Sequence, residues 1–280
     1  MKTIDIFIVT FYSDLNVLDK VLQRLSEAVS VCPNAAFRVT LVDNSHGRDQ
    51  GVHQERSYFD DLKELVSKNK LAIDLHQSRS NLGFGRANNL AFDLSSKNRL
   101  SADYILVLNP DAFLSFNSLS RALRVLDERV DLGILLPRFL SEAGDDLYLA
   151  KQYPSIWILF LRGFSPNWLR KIFKSYIDAY DLKYLSADKY HCEAAVGSGA
   201  CFLMRRDVWI KLKGFDPRFF LYFEDFDLTY RATQITQVAY EPSVKVVHLG
   251  GHSAKKGSTH IKYFIKSAWQ FFNKNGWKWL

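Results

Sequence analysis

Apolar residues fall along the first 136 positions in two alternating rhythms. Short, nearly unbroken runs at Ile4–Thr10, Phe37–Val42, Leu71–His76, Tyr104–Leu108 and Gly133–Leu136 predict strands. Longer stretches at Asn16–Val29, Glu55–Ser67, Arg86–Leu94 and Ser118–Asp127 predict helices. In the first of these Val17, Val21, Leu22, Leu25 and Val29 recur at helical spacing. Strands this apolar are buried on both faces, so the alternation implies an α/β fold with a mostly parallel central sheet flanked by helices. Such sheets bind ligands beyond the carboxyl ends of their strands. Polar clusters lie at those ends: Thr10–Ser13, Asp43–His46, Asn81–Asn89 and Asn109–Asp111. Four clusters at four strand ends point to one shared site.

Beyond residue 137 the rhythm changes. Tyr153 to Tyr176 is aromatic and carries Arg162, Arg170, Lys171 and Lys174 with no acid. It reads either as a core helix with a loop or as a surface insertion that rests on a bilayer or an amphiphilic substrate. A β-rich stretch, Glu193–Met204, and an acidic segment, Phe215–Arg231, follow. From Thr259 to Trp277 the residues Ile261, Phe264, Ile265, Ala268, Trp269 and Phe272 form a helical stripe, with Lys262, Lys266 and Lys274 off it. That stripe fits either a lipid surface or a helix packed on the body.

Composition narrows the class. A 280-residue chain that is 48% hydrophobic and 24% charged buries a substantial core, which excludes a disordered or fibrous chain. The net charge of +7 equals the seven lysines found from Pro242 onward, where there is no Arg, Asp or Glu. The body is therefore neutral and the tail basic. No groove-reading motif accompanies those lysines, so a nucleic-acid partner is not expected. Cys32, Cys192 and Cys201 are too few for a disulfide framework and suggest reduced, cytosolic thiols. Asp5 interrupts the apolar run Ile4–Tyr12, which reads as a strand and not as a signal peptide. The longest fully apolar run, Ile156–Leu161, is far short of the ~20 residues of a membrane-spanning helix.

Several motifs carry chemistry. Asn109-Pro110-Asp111 ends a buried strand, where a carboxylate can meet a divalent cation that shares a diphosphate, or can cap a turn. Asp43 can accept from a nucleobase or ribose, or form an Asx-turn. Asn81–Asn89 resembles a glycine-rich phosphate loop feeding a helix N-terminus. Its Gly83 and Gly85 are followed by Asn88 in place of the third glycine of a dinucleotide fingerprint, which disfavours a Rossmann dehydrogenase. In Gly214–Arg231, Asp216, Glu224, Asp225 and Asp227 sit among aromatics, which suits a general base or the N-terminal end of a helix. His248 follows a predicted strand, Ser243–Val247, and can be a metal ligand or structural. Gly250 and Gly251 rule out a helical zinc pair with His252.

In this order the motifs resemble family 2 glycosyltransferases, inverting enzymes with a GT-A-type nucleotide-sugar-binding fold. The likeness covers about 250 residues: Val9–Tyr12, Val42–Ser45, Asn81–Asn89, Asn109–Asp111, Gly197–Arg205, Gly214–Arg231 and His248. The G-F-G-x-x-N-N and F-F-x-Y-x-E-D-x-D-L pieces are most similar to bacterial rhamnosyltransferases that build O-antigen, capsule and related surface glycans. The resemblance implies a catalytic domain over 1–250, an acceptor- or membrane-side insertion at 153–185, and an amphipathic basic extension at 251–280. It assigns Thr10 and Asp43 to the nucleobase and ribose, and places Tyr12, Asn44, Gly83, Gly85, Asn88 and Asn109 with them among the donor-binding residues. Asp111 with His248 would hold Mg²⁺ or Mn²⁺, and Asp225, beside Glu224, would be the general base. One departure stands out: many relatives carry D-x-D, whereas Asn109 replaces the first acid here.

The implied donor is dTDP-rhamnose or a UDP-sugar, and the implied acceptor is a lipid-linked or lipid-anchored glycan. The expected location is cytoplasmic, peripheral at the inner face of the membrane, with the basic helix on anionic lipid. Two other functions compete. A glycoside hydrolase would leave Asp43, Asn81–Asn89 and Asn109–Asp111 unexplained. A catalytically silent nucleotide-sugar-binding scaffold would need neither Asp111 nor Asp225.

Overall fold

A computed structural model describes residues 1–45, 57–97, 101–185, 189–192, 194–250 and 257–280, with Gly257 and Ser258 as backbone alone. His46, Glu55, Glu193, His252, Lys255 and Lys256, which figure in the sequence reading, lie outside the described residues.

The first half follows the predicted alternation: β1 (Lys2–Thr10), α1 (Leu15–Ser30), β2 (Ala35–Asp43), α2 (Tyr58–Ser67), β3 (Ile73–Gln77), α3 (Phe84–Ser96) and β4 (Tyr104–Leu108). A short unpredicted strand, β5 (Ala112–Leu114), precedes α4 (Ser118–Glu128) and β6 (Leu132–Leu140). Asp14 caps α1 by accepting from Asn16 N at 2.8 Å and Val17 N at 3.3 Å, which satisfies two donors the helix itself cannot use. Strand side chains alternate between two cores. Ile4, Ile6 and Ile8 join α1 and α4 on one face, while Phe7 and Val9 meet Ala87, Ala91 and Trp209 on the other.

The second half contains α5 (Ile156–Gly163), α6 (Asn167–Ile172), α7 (Lys174–Tyr180), β7 (Cys201–Arg205), α8 (Arg206–Leu212), α9 (Glu224–Thr233), β8 (Gln237–His248) and α10 (Gly257–Asn275). The predicted β-rich stretch up to Met204 shrinks to β7 and isolated bridges, because a Gly197-Ser198-Gly199 turn precedes that strand. Sheet order is β3-β2-β1-β4-β7-β6-β8-β5. The ladders β3–β2–β1–β4 and β6–β8 are parallel, whereas β7 runs antiparallel to both neighbours and β5 antiparallel to β8. The sheet is thus mixed, and the reversal positions the site. Antiparallel β7 brings its first residue, Cys201, opposite Leu108 at the end of β4. The small-residue turn before β7 thereby reaches the rim where the parallel strands end.

The 153–176 stretch breaks into three short helices, not one. Ile158 and Leu161 of α5 are buried, but Phe160, Phe164, Trp168 and Ile172 are exposed. The stripe on α10 also divides: Phe271 and Phe272 are buried against Phe219 and Phe223, with Phe264 and Ala268 beside them, while Ile261, Ile265 and Trp269 face outward. After α10 the chain returns to α5, where Ile156 N donates to Lys278 O at 2.8 Å and Trp157 N to Trp279 O at 3.1 Å. Among the described residues no helix is long and apolar enough to cross a membrane.

Candidate active site

Thr10 and Asp43 end β1 and β2, lie opposite each other in the parallel register, and are fully buried. Asp43 Oδ1 accepts from Ser45 N at 2.9 Å, which is the expected Asx-turn, while Oδ2 accepts from Gln77 Nε2 at 3.2 Å. Asn44 ties this end to the next loop: its Oδ1 accepts from Leu82 N at 2.8 Å and its Nδ2 donates to Asn81 Oδ1 at 3.0 Å. Tyr12 lies in the left-handed region, φ 47°, and donates its N–H to Ser45 Oγ at 2.8 Å. Thr10, Tyr12, Asp43 and Asn44 are therefore brought together at the ends of β1 and β2.

The glycines of the next loop make room for protein. A Cβ on Gly83, which has φ +79°, would sit 2.2 Å from Phe220 O, and one on Gly85 would sit 2.9 Å from Phe215 Cβ. The start of α3 is clamped to the 214–224 segment. Asn89 accepts from Phe215 N at 2.9 Å and donates to Phe215 O at 2.8 Å, and Arg86 Nε donates to Pro217 O at 2.6 Å. Asn88 donates to Phe84 O at 3.0 Å, one turn back, and its Oδ1 is buried without a partner among the described residues. The sequence reading gave Asn89 no role of its own; its signal was a second asparagine just inside a helix, where two-sided amide pairing to a distant backbone is possible.

At the end of β4, Asn109 N donates to Ala200 O at 2.8 Å, and Asn109 Oδ1 is buried without a partner among the described residues. Two residues on, Asp111 Oδ1 lies 3.2 Å from His248 Nε2. The meeting follows from sheet register, since β5 pairs antiparallel with β8 and Ala112 sits opposite His248. An aspartate and a histidine 137 positions apart become neighbours because one begins a hairpin-like ladder and the other ends it.

The acids of the 214–231 segment separate into distinct states. Asp216 is buried enough to be penalised for its charge, yet Arg218 and Lys274 hold its carboxyl well below the usual range, at 2.6 Å each. Asp227 is paired with Arg231 and Lys274, both at 2.7 Å. Glu224 has Oε2 buried without a hydrogen-bond partner among the described residues, and burial together with the neighbouring Asp225 charge pushes its carboxyl up to about 8. Asp225 is raised by burial, against backbone donors that favour its ionised form: Gly199 N to Oδ2 and Phe226 N to Oδ1, both at 2.8 Å. Among the described residues Asp225 forms no ion pair, and both of its carboxylate oxygens accept from backbone N–H groups.

Two consecutive left-handed residues, Tyr222 at φ 70° and Phe223 at φ 63°, turn the chain into α9 and aim Asp225. Gly199 fits against it because a Cβ there would lie 2.9 Å from Phe84 Cε1 and 3.2 Å from Asp225 Cβ. Thr229 adds a second fastening, accepting from Gly197 N at 3.0 Å and donating to Asp225 O at 2.8 Å.

The chain is similar to known proteins both in sequence and in fold. The sequence model of glycosyl transferase family 2 matches residues 6–212. The chain is 29% identical to an N-acetylglucosaminyl-diphospho-decaprenol L-rhamnosyltransferase of Mycobacterium tuberculosis, covering 91% of this chain and 81% of that protein. It is 25% identical to rhamnosyltransferase WbbL of Escherichia coli K12, covering 83% and 92%. Its fold is similar to that of GalNAc-T7 solved with UDP, GalNAc and Mn²⁺, at TM-score 0.62 and 12% identity over 98% of this chain. It is equally similar, at TM-score 0.62 and 14% identity over 97% of this chain, to the mannosyltransferase PcManGT of Pyrobaculum calidifontis solved with GDP-Man and Mn²⁺. The chain spans 48% and 63% of those two structures.

Proposed function

We propose that this chain, which belongs to glycosyl transferase family 2, transfers rhamnose or a hexose from a nucleotide-sugar to a lipid-linked or lipid-anchored glycan acceptor. The names of the two rhamnosyltransferase relatives favour dTDP-rhamnose as donor over a UDP-sugar, and the mycobacterial one favours a polyprenyl-diphosphate-linked sugar as acceptor. The observation that carries the reading is the setting of Asp225, whose carboxylate accepts from Gly199 N and Phe226 N and has no cation beside it among the described residues, whereas Asp216 and Asp227 are ion-paired.

Asp225 takes the proton of the acceptor hydroxyl as its oxygen attacks the anomeric carbon. The bond from that carbon to the nucleoside diphosphate breaks on the opposite side, so the configuration inverts. Thr10, Tyr12, Asp43 and Asn44 hold the nucleoside end, and alignment of donor with acceptor supplies much of the acceleration. Asp111 and His248, 3.2 Å apart, form an oxygen and nitrogen pair of the kind that Mg²⁺ or Mn²⁺ takes. Bound there with the diphosphate, the ion would offset the charge gathering on the leaving group.

An acceptor of this kind places the enzyme at the inner face of the cytoplasmic membrane. Supporting that location, the outward Ile261, Ile265 and Trp269 of α10 flank exposed Lys262 and Lys266, a composition suited to an anionic leaflet. Exposed Phe164 and Trp168 belong to the insertion that the C-terminal residues contact. The test is nucleoside diphosphate release from dTDP-rhamnose and UDP-sugars, with Mn²⁺ and N-acetylglucosaminyl-diphospho-decaprenol. Donor binding without release for every pair would instead sustain the silent scaffold.

A further inference from the structure

The inner face of α10 touches the catalytic segment along its length. Ser267 Oγ donates to Leu221 O at 2.8 Å, and Tyr222 Oη and His260 Nδ1 are 2.9 Å apart. The Phe223 ring packs on Phe264 and Phe271, with centroids 5.2 and 5.4 Å away. Lys274 Nζ bridges Asp216 Oδ2 at 2.6 Å and Asp227 Oδ1 at 2.7 Å, and Asn275 Nδ2 donates to Asp227 Oδ1 at 3.2 Å. These contacts bracket the pair of left-handed residues, Tyr222 and Phe223, that precedes Glu224 and Asp225. Left-handed backbone at two adjacent aromatic residues is disfavoured by steric contact with Cβ and persists only where surrounding structure over-determines it.

We infer that α10 is a positioning element of the active site, in which Lys274 and Ser267 hold the Leu221–Asp227 turn so that the Asp225 carboxylate stays aimed at the acceptor. Neither residue touches the reacting atoms. Lys274 acts through Asp227 on the first turn of α9, whose Asp227 N donates to Phe223 O at 2.8 Å, and Ser267 acts through the Leu221 carbonyl. Lys274 is thereby set apart from the exposed lysines of the same helix: it is an internal strut, with its side chain 21% exposed. The inference rests on the assignment of Asp225 as base, but its structural part does not.

The experiment uses the full chain with Lys274→Met, Lys274→Arg, Ser267→Ala and a control, Lys20→Met on α1. With dTDP-rhamnose and N-acetylglucosaminyl-diphospho-decaprenol, Lys274→Met and Ser267→Ala should lower kcat by about tenfold or more, with donor KM within about twofold of the parent. Lys274→Arg should recover most of that loss, and Lys20→Met should leave kcat unchanged. Hydrogen exchange at amides 221–227 should quicken by about tenfold in Lys274→Met and Ser267→Ala, while β1 keeps its protection. An unchanged kcat in either variant, folded as the parent is, overturns the inference. If Lys274→Met does not fold, Ser267→Ala decides. If the parent itself shows no turnover, the transferase reading fails separately, and unchanged exchange at 221–227 then overturns the positioning role.

Discussion

The backbone N–H of Gly199 donates to Asp225 Oδ2 at 2.8 Å, and the carbonyl of the next residue, Ala200, accepts from Asn109 N at 2.8 Å. A single small-residue turn therefore fastens the carboxylate read as the base to the strand end that carries Asp111. The spacing between the two chemical centres is set by backbone, which has fewer ways to drift than side chains.

Asp225→Asn removes the carboxylate and, because an amide has a single acceptor oxygen, can keep only one of the two backbone hydrogen bonds from Gly199 N and Phe226 N. Turnover should fall by about 10²–10⁴-fold, the range supplied by a positioned general base. Calorimetric titration with the nucleoside diphosphate should give the parental affinity. Parental turnover in the variant would exclude Asp225 as the base.

Gly83 and Gly199 test packing separately from chemistry. Gly83→Ala places a Cβ at φ +79° and 2.2 Å from Phe220 O, so it should lower stability by about 2 kcal/mol or more and Tm by several degrees. Gly199→Ala meets Phe84 Cε1 at 2.9 Å and Asp225 Cβ at 3.2 Å, so its main effect should be on kcat. Calorimetric melting beside steady-state kinetics distinguishes them.

Glu224 should make stability fall with rising pH. Its folded value of about 8 lies above the ordinary 4.5, so the folded chain binds more protons than the unfolded one between those limits. The contribution is full below pH 4.5 and is lost as pH rises through about 8. Glu224→Gln, neutral at every pH, should flatten that slope and raise Tm relative to the parent at pH 8.5. A parental slope in the variant would assign the dependence elsewhere.

If Asp111 and His248 share a divalent ion, Asp111→Ala and His248→Ala should each weaken Mn²⁺-dependent nucleotide binding by about 10–100-fold. Binding measured in EDTA should change little in either variant. Equal losses with and without Mn²⁺ would point to direct contact with the nucleotide.

The outer face of α10 predicts lipid binding that is independent of catalysis. Ile265→Ser with Trp269→Ser should reduce flotation with phosphatidylglycerol vesicles, and added salt should reduce that of the parent, because lysines near an anionic leaflet contribute roughly 1 kcal/mol each at low screening. Undiminished flotation of the double variant would remove α10 from the membrane contact.

Much of the site was legible in the sequence because its parts lie where local pattern changes. Thr10, Asp43 and Asn109 were found as the first polar residues after apolar runs, and each stands at the end of a strand or just beyond it. The stretch from Tyr153 to Tyr176 was legible as aromatic and basic but not as three short helices, since Pro166 and the turn at Phe173 interrupt a periodicity too short to read. Strand β5 was too brief to register, and with it went the pairing that carries His248 to Asp111. The lysines of α10 looked equivalent in sequence because charge and helical spacing do not say which side of a helix a folded partner will cover.

The residue pattern by itself determined the alternating βα half, the polar rim at its strand ends and the ordered motifs of the family, all of which depend on neighbours a few positions apart. Tertiary structure alone decided which of the four acids are ion-paired, that Asp111 meets His248, and that Lys274 points into the protein. Those outcomes depend on burial and on charges more than 40 positions away in the chain, such as Lys274 on Asp216 and Asp227, and no local periodicity encodes them.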